Sequence, residues 1–195
     1  MSKLFINDLY FSFQGEGYNA GRRALFVRMP KCNLACSWCD TSFDTYEKID
    51  TDLFRELALQ EQSSFAVVTG GEPLLNKHTP IVVNILKELG FVVACETNGT
   101  QPYVAGIDWV TCSPKRDAGY TIHPKLKPYI SELKFVVDDK FDFRVLDLHN
   151  DIVGLRYLSP EFTNMKENLK KIEEYIVHNT QWKISLQTQK LVGFK

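Results

Sequence analysis

The sequence has no apolar run approaching the ~20 residues that a membrane-spanning helix needs, so no helical span is expected. The start, MSKLFINDLYF, lacks the basic–apolar–small-residue order of a signal peptide. Charge of one sign is also missing: 23 Lys and Arg against 24 Asp and Glu leave a net charge of -1. Composition therefore gives no pointer to nucleic acid as a partner. There is no internal repeat, low-complexity tract or linker, which favours one domain over residues 1–195. The expected setting is cytoplasmic, where the five cysteines stay reduced and free for metal or catalysis.

What is present alternates between two periods. Residues 22–29 read as a strand, 51–60 as a helix with Leu53, Phe54, Leu57 and Ala58 on one face, and 65–69 as a short apolar strand. Thr79 is placed to cap a helix with Pro80 at its first position. Ile81, Val82, Ile85, Leu86 and Leu89 form its stripe, and Gly90 stops it. Strand-like runs recur at 91–95, 107–112, 132–137 and 152–158. A helix from near Thr163, with Met165, Leu169, Ile172 and Ile176 at helical spacing, leads to a strand over 182–187. Strands alternating with helices indicate an α/β fold of parallel units. The chain is short of the ~250 residues of a closed eight-unit barrel, and 97–131 carries little helical signal. The expectation is an incomplete β/α barrel with its chemistry at the carboxyl ends of the strands.

Three of the cysteines, Cys32, Cys36 and Cys39, lie in one C-x₃-C-x₂-C loop, while Cys95 and Cys112 stand apart. Three thiolates can wrap one metal centre, an iron–sulfur cluster or zinc. A cubane has four irons, so a local set of three leaves one iron open. An electron-transfer cluster usually has all four held. Cys95 or Cys112 as a fourth ligand stays an alternative, as does structural zinc, although no second Cys or His pair completes a closed zinc site.

Thr69-Gly70-Gly71-Glu72-Pro73 ends an apolar strand. Its glycines admit a ligand close to the backbone, and Glu72 with nearby carbonyls can accept from an ammonium group. Ser113-Pro114-Lys115 and Ser159-Pro160-Glu161 are polar loops at the ends of two further strands. Each segment taken alone also reads as a plain turn.

The C-x₃-C-x-aromatic-C spacing, with Trp38 in the aromatic position, resembles the radical S-adenosylmethionine (SAM) superfamily. That resemblance implies a site-differentiated 4Fe–4S cluster on Cys32, Cys36 and Cys39. SAM would bind the open iron, with Trp38, Gly70, Gly71, Glu72, Ser113, Pro114, Lys115, Ser159, Pro160 and Glu161 around it. Adding Phe13-Gln14-Gly15-Glu16-Gly17, CETNGT and SLQTQK, the order of motifs closely resembles the 7-carboxy-7-deazaguanine synthase (QueE) family from about Phe5 to Phe194.

This second resemblance implies a radical ring contraction of 6-carboxy-5,6,7,8-tetrahydropterin to 7-carboxy-7-deazaguanine with loss of ammonia, on the route to queuosine and other deazapurines. SAM would be regenerated and magnesium would assist. Substrate would meet Phe13, Gln14, Gly15, Glu16, Arg28, Thr69, Glu96 and Gln189, with the forked guanidinium of Arg28 on the substrate carboxylate. Thr41 would give its hydroxyl to Mg²⁺. A flavodoxin-type electron donor and a homodimer are likewise implied. One departure stands out: Gln189 occupies the place of a family histidine, and glutamine hydrogen-bonds but carries no proton near neutral pH. The competing readings are an activating enzyme for a glycyl-radical enzyme, which shares C-x₃-C-x₂-C and GGEP, and a zinc module.

Overall fold

The computed structural model describes residues 3–43, 45–60 and 62–194. Its strands are β1 (Lys3–Ile6), β2 (Asp8–Phe13), β3 (Arg23–Met29), β4 (Glu47–Asp50), β5 (Phe65–Gly70), β6 (Val92–Thr97), β7 (Trp109–Cys112), β8 (Ile130–Val137), β9 (Leu155–Pro160) and β10 (Trp182–Ile184). Its α-helices are α1 (Thr51–Ala58), α2 (Thr79–Glu88), α3 (Met165–Ile176) and α4 (Thr188–Val192).

Eight strands form one sheet in the order β10-β9-β8-β7-β6-β5-β3-β2. Neighbours from β3 to β10 are parallel, and β2 runs antiparallel to β3 at one edge. A separate ribbon pairs β1 with β4. Among the described residues no ladder joins β2 to β10, so the barrel is incomplete. Polar loop contacts bridge its two sides instead. The Gly17 N–H donates to Ser185 Oγ at 2.9 Å, and the Thr188 N–H and hydroxyl donate to the Gly15 carbonyl at 3.1 and 2.8 Å.

The central strands are buried on both faces, which is why β5 reads as a continuous apolar run. Its outer-face residues Ala66 and Val68 share a core with Leu25, Val27 and Val93, with Phe54 of α1 and with Val82 and Leu86 of α2. The inner face holds a smaller cluster of Ala24, Phe26, Phe65, Val67 and Ala94, with Tyr10 and Trp109 against it. Side chains repeat every second residue along a strand. The same inner face therefore carries Arg28, Thr69 and Glu96 one step nearer the carboxyl ends of β3, β5 and β6.

Some helix expectations need correction. In α1 Phe54 and Ala58 are buried, but Leu53 is exposed and Leu57 half-buried. In α2 the buried stripe is Thr79, Val82, Val83, Ile85 and Leu86. It follows the i, i+3, i+4, i+7 rows from Thr79, which turns Ile81 outward and leaves Leu89 half-buried. Thr79 is not the cap. His78 holds that position, and the Thr79 hydroxyl donates to the Pro73 carbonyl. Gly90 ends the helix with φ of 83°. Helix α3 starts at Met165, two residues after Thr163, and buries Asn168 and Ile172. The last strand stops at Ile184, freeing 185–187 for the loop that reaches the site.

His149 is buried with its ring 5.6 Å from that of Phe135. Burial first, then the nearby Lys127, hold its pKa below the ordinary 6.5. The folded state thus binds fewer protons than the unfolded chain. The neutral ring's contribution is complete above about pH 6.5 and is lost as pH falls through the folded value. Urea midpoints taken at about pH 7.5 and about pH 5.5 should show the wild type losing stability relative to His149→Phe on acidification. A constant difference between the two proteins would contradict this.

Candidate active site

Two cavities open at the carboxyl ends of the strands and share a wall. The first holds about 900 Å³ of space, open mouth included, and is lined by Cys32, Cys36 and Cys39. Trp38, Gly70, Gly71, Ser113 and Lys115 also line it. The second, about 920 Å³ on the same measure, is lined by Phe13, Gln14, Gly15, Glu16, Arg28, Thr41, Thr69, Glu96 and Gln189. Glu16, Asp40, Thr69, Gly70, Glu96 and Gln187 border both. The residues that sequence reasoning assigned to substrate thus meet on one cavity, and the three thiols meet on its neighbour.

The cysteine loop is held by backbone. Lys31, at φ of 70°, turns the chain into Cys32. Its N–H donates to the Phe43 carbonyl at 3.0 Å, and its own carbonyl accepts from the Glu72 N–H at 2.9 Å. The Gly70-Gly71 turn lies so close to this loop that a Cβ on Gly71 would fall 1.9 Å from the Lys31 oxygen. Only glycine fits there. The Leu34 N–H points at Cys32 Sγ at 3.4 Å, a contact of the kind that tunes sulfur ligands.

Burial raises the Cys32 thiol. Burial, then the hydrogen bond from the thiol to Asp117, pushes Cys36 up to about 11. Binding a metal centre at these thiols must release protons. Among the described residues no three His, Cys, Asp or Glu side chains are gathered closely enough to hold a single metal ion. Thiolates are the ligands that iron–sulfur clusters take, so three cysteines on one cavity wall fit a 4Fe–4S cluster by donor type.

Lys115 donates to Ser113 Oγ at 2.6 Å, and its ammonium lies 5.0 Å from the centroid of the Trp38 ring. Burial, then Lys134, lowers its pKa. Pro114 is buried and off the cavity wall. Ser159, Pro160 and Glu161 line a smaller hollow that shares Trp38, Asp40, Val136 and Gln187 with the first cavity. The Glu161 carboxylate accepts from the Thr163 and Asn164 N–H groups at 2.8 and 3.2 Å.

The Glu72 side chain is 0% exposed, and it accepts from the Thr97 hydroxyl at 2.7 Å and from the Asn98 and Leu74 N–H groups at 2.7 and 3.0 Å. Burial raises its pKa, and the three donors oppose the rise. In this structure the Glu72 carboxylate is turned into the fold and does not line the thiol cavity. Glu72 ties the Gly-Gly turn to the end of β6, and Gly70 and Gly71 themselves line the cavity. Glu72→Gln places an amide N–H₂ against buried donors. It should cost about 1–3 kcal/mol of stability in urea denaturation, whereas an unchanged midpoint would show the carboxylate to be dispensable.

On the second cavity, Glu96 accepts from Gln14 Nε2 at 2.9 Å and from the Thr69 hydroxyl at 3.0 Å. Arg28 donates to the Thr41 hydroxyl at 3.0 Å and to the Tyr10 hydroxyl at 2.9 Å. The Thr41 hydroxyl also lies 3.3 Å from Asp40 Oδ1. Glu16 accepts from Lys134 at 2.5 Å, from Gln187 at 2.9 Å and from Gln189 at 3.1 Å. Among the described residues the buried Gln189 Oε1 has no hydrogen-bond partner.

Sequence reasoning missed Lys134, Gln187, Tyr10 and the Lys190–Asp40 ion pair. A signal existed for Lys134. Glu132 and Lys134 alternate with Leu133 and Phe135, the pattern of a strand with one polar face.

Residues 26–112 match the model of the radical SAM superfamily. A 7-carboxy-7-deazaguanine synthase of Aquifex aeolicus is 39% identical over 85% of this chain and 81% of its own length. The chain belongs to the 7-carboxy-7-deazaguanine synthase family. The synthase of Haemophilus influenzae is 31% identical over 97% of this chain and 93% of its own. The crystal structure of QueE from Escherichia coli, at 24% identity, superposes with a TM-score of 0.80 over 94% of this chain and 93% of that one, and so shares the fold. Membership makes this chain a radical SAM lyase, with a 4Fe–4S cluster and SAM as its cofactors. Among the described residues no helix is long and apolar enough to cross a membrane.

Proposed function

We propose that the chain converts 6-carboxy-5,6,7,8-tetrahydropterin to 7-carboxy-7-deazaguanine with loss of ammonia, the step that feeds queuosine and related deazapurines. The observation that carries this reading is the shared wall. A cavity bearing three thiols adjoins one whose polar groups complement a carboxylated pterin. The cluster and SAM, held by Cys32, Cys36, Cys39 and the Gly70-Gly71 turn, supply hydrogen-atom abstraction when bound.

The remaining work falls to side chains. Arg28 has five N–H donors, and its bonds to Thr41 and Tyr10 leave three for the substrate carboxylate. Glu96, fixed by Gln14 and Thr69, accepts from the amine and N–H edge of the pterin. Gln189, whose Oε1 has no partner among the described residues, adds an acceptor and holds substrate without moving a proton.

Mg²⁺ belongs to the same reading. Magnesium takes oxygen ligands and keeps waters, and the Thr41 hydroxyl beside Asp40 offers one such ligand next to Arg28. The flavodoxin-type reductant and the homodimer rest on the family resemblance.

The test is anaerobic turnover of the reconstituted protein with SAM, reductant and the carboxypterin, with and without Mg²⁺, followed by mass spectrometry. The expected result is a magnesium-stimulated product with the mass of 7-carboxy-7-deazaguanine. SAM cleavage that leaves the pterin untouched, together with a radical appearing on an added partner protein, would favour a glycyl-radical activating enzyme.

A further inference from the structure

The wall between the two cavities contains an ion pair that neither the motifs nor the comparisons assign. Lys134 stands on the inner face of β8 with its side chain 8% exposed, and Glu16 in the loop after β2 is 15% exposed. Lys134 lines the thiol cavity, whereas Glu16 lines both. One carboxylate oxygen of Glu16 accepts from Lys134 Nζ, and the other accepts from the amides of Gln187 and Gln189. We propose that Lys134 is a positioning residue that orients the Glu16 carboxylate as an acceptor for the substrate's N–H donors.

The arrangement meets the conditions for such a role. Both oxygens are occupied by donors from three directions, which sets the plane of the carboxylate. Burial alone would raise the Glu16 pKa. The charge and hydrogen bond of Lys134, with the two amides, reverse that and hold it well below the ordinary carboxylate value. Burial would lower Lys134, and Glu16 followed by Glu96 raises it instead. The charged groups facing the pair are Glu96 of β6, Glu132 of β8 and Lys115 after β7. Without Lys134 the Glu16 carboxylate would be buried among other carboxylates, and its pKa would rise. A pair that only braced the fold would leave no trace in the pH dependence of substrate binding.

This inference rests on the proposed substrate. The experiment is anaerobic equilibrium binding of the carboxypterin to cluster-loaded protein with SAM, from about pH 6 to about pH 9. Wild-type protein that fails to bind the pterin would overturn the proposed function itself. Given wild-type binding, Lys134→Met should weaken it at least ~10-fold at the acid end and recover as pH rises and Glu16 ionises. Lys134→Arg should restore the wild-type profile. The neutral pair Glu16→Gln with Lys134→Met buries no lone charge and should bind at least ~10-fold more weakly at every pH, with no recovery. Wild-type affinity in Lys134→Met, or a loss of the same size at all pH values, would overturn the inference. If Lys134→Met does not fold, the neutral pair decides: wild-type affinity there overturns it equally.

Discussion

Replacing Cys36 with serine is expected to lower product formation by more than ~100-fold, beyond the range that loss of an outer-shell metal partner costs. A serine hydroxyl does not supply the thiolate that iron–sulfur clusters take as ligand. Two thiols would remain on the cavity wall, too few for a cluster with a single open iron. The fold should survive the change. Cys36 is half-buried in a surface loop outside both hydrophobic clusters, and the loop is held through Lys31 and Glu72 backbone groups that the substitution leaves alone. The measurement pairs iron content and visible absorption with circular dichroism. Native dichroism with little bound iron and no product is the expected set. A serine variant that keeps a full cluster and activity would remove Cys36 from the ligand set and revive Cys95 or Cys112.

Gly71→Ala should be nearly as damaging, by a different route. The added Cβ would meet the Lys31 oxygen at 1.9 Å, the Lys31 carbonyl carbon at 2.3 Å and the Cys32 nitrogen at 2.8 Å. All three are backbone atoms, so no side chain can swing aside. The cysteine loop would have to move away from the Gly-Gly turn, which separates the thiols from the proposed SAM acceptors. Overpacking of this kind costs about 1–3 kcal/mol, and a displacement near 1 Å at a reacting centre is worth ~100-fold in rate. Gly90→Ala is the matched control. It forces a side chain onto a positive φ that Gly71 does not have, but into open space after α2, so it separates general backbone strain from a clash with the cysteine loop. It should lower the urea midpoint and leave cluster content unchanged. Equal cluster loading in both variants would contradict the close packing of the two loops.

The sequence carried the local chemistry further than the local structure. C-x₃-C-x₂-C and Thr69-Gly70-Gly71 are contiguous, and each specifies its own backbone. Arg28, Thr69 and Glu96 came from the family resemblance, and the structure gives the physical reason they meet: strand alternation extends the inner face of Phe26, Val67 and Ala94 to them. Helix stripes were less exact. A stripe is centred by what packs on it, so α2 buries Val83 and exposes Ile81 although both are apolar. Glu72 shows the stronger limit. Its residue type suits a ligand contact, yet the alignment of β5 with β6 puts Thr97 and Asn98 against it first. The Glu16–Lys134 pair spans 118 residues of sequence and depends on the open barrel's being bridged by the loops of Gly15 and Thr188. No local pattern encodes a contact of that kind.

The central claim is that the thiol cavity makes a radical for use on a pterin next door, and that SAM is regenerated afterwards. Its most direct test is the ratio of product formed to SAM consumed when SAM is limiting and the carboxypterin is in excess. The account predicts many molecules of 7-carboxy-7-deazaguanine per SAM lost, with little 5′-deoxyadenosine accumulating. One SAM consumed for each product would contradict its regeneration, and 5′-deoxyadenosine without any pterin product would contradict the substrate.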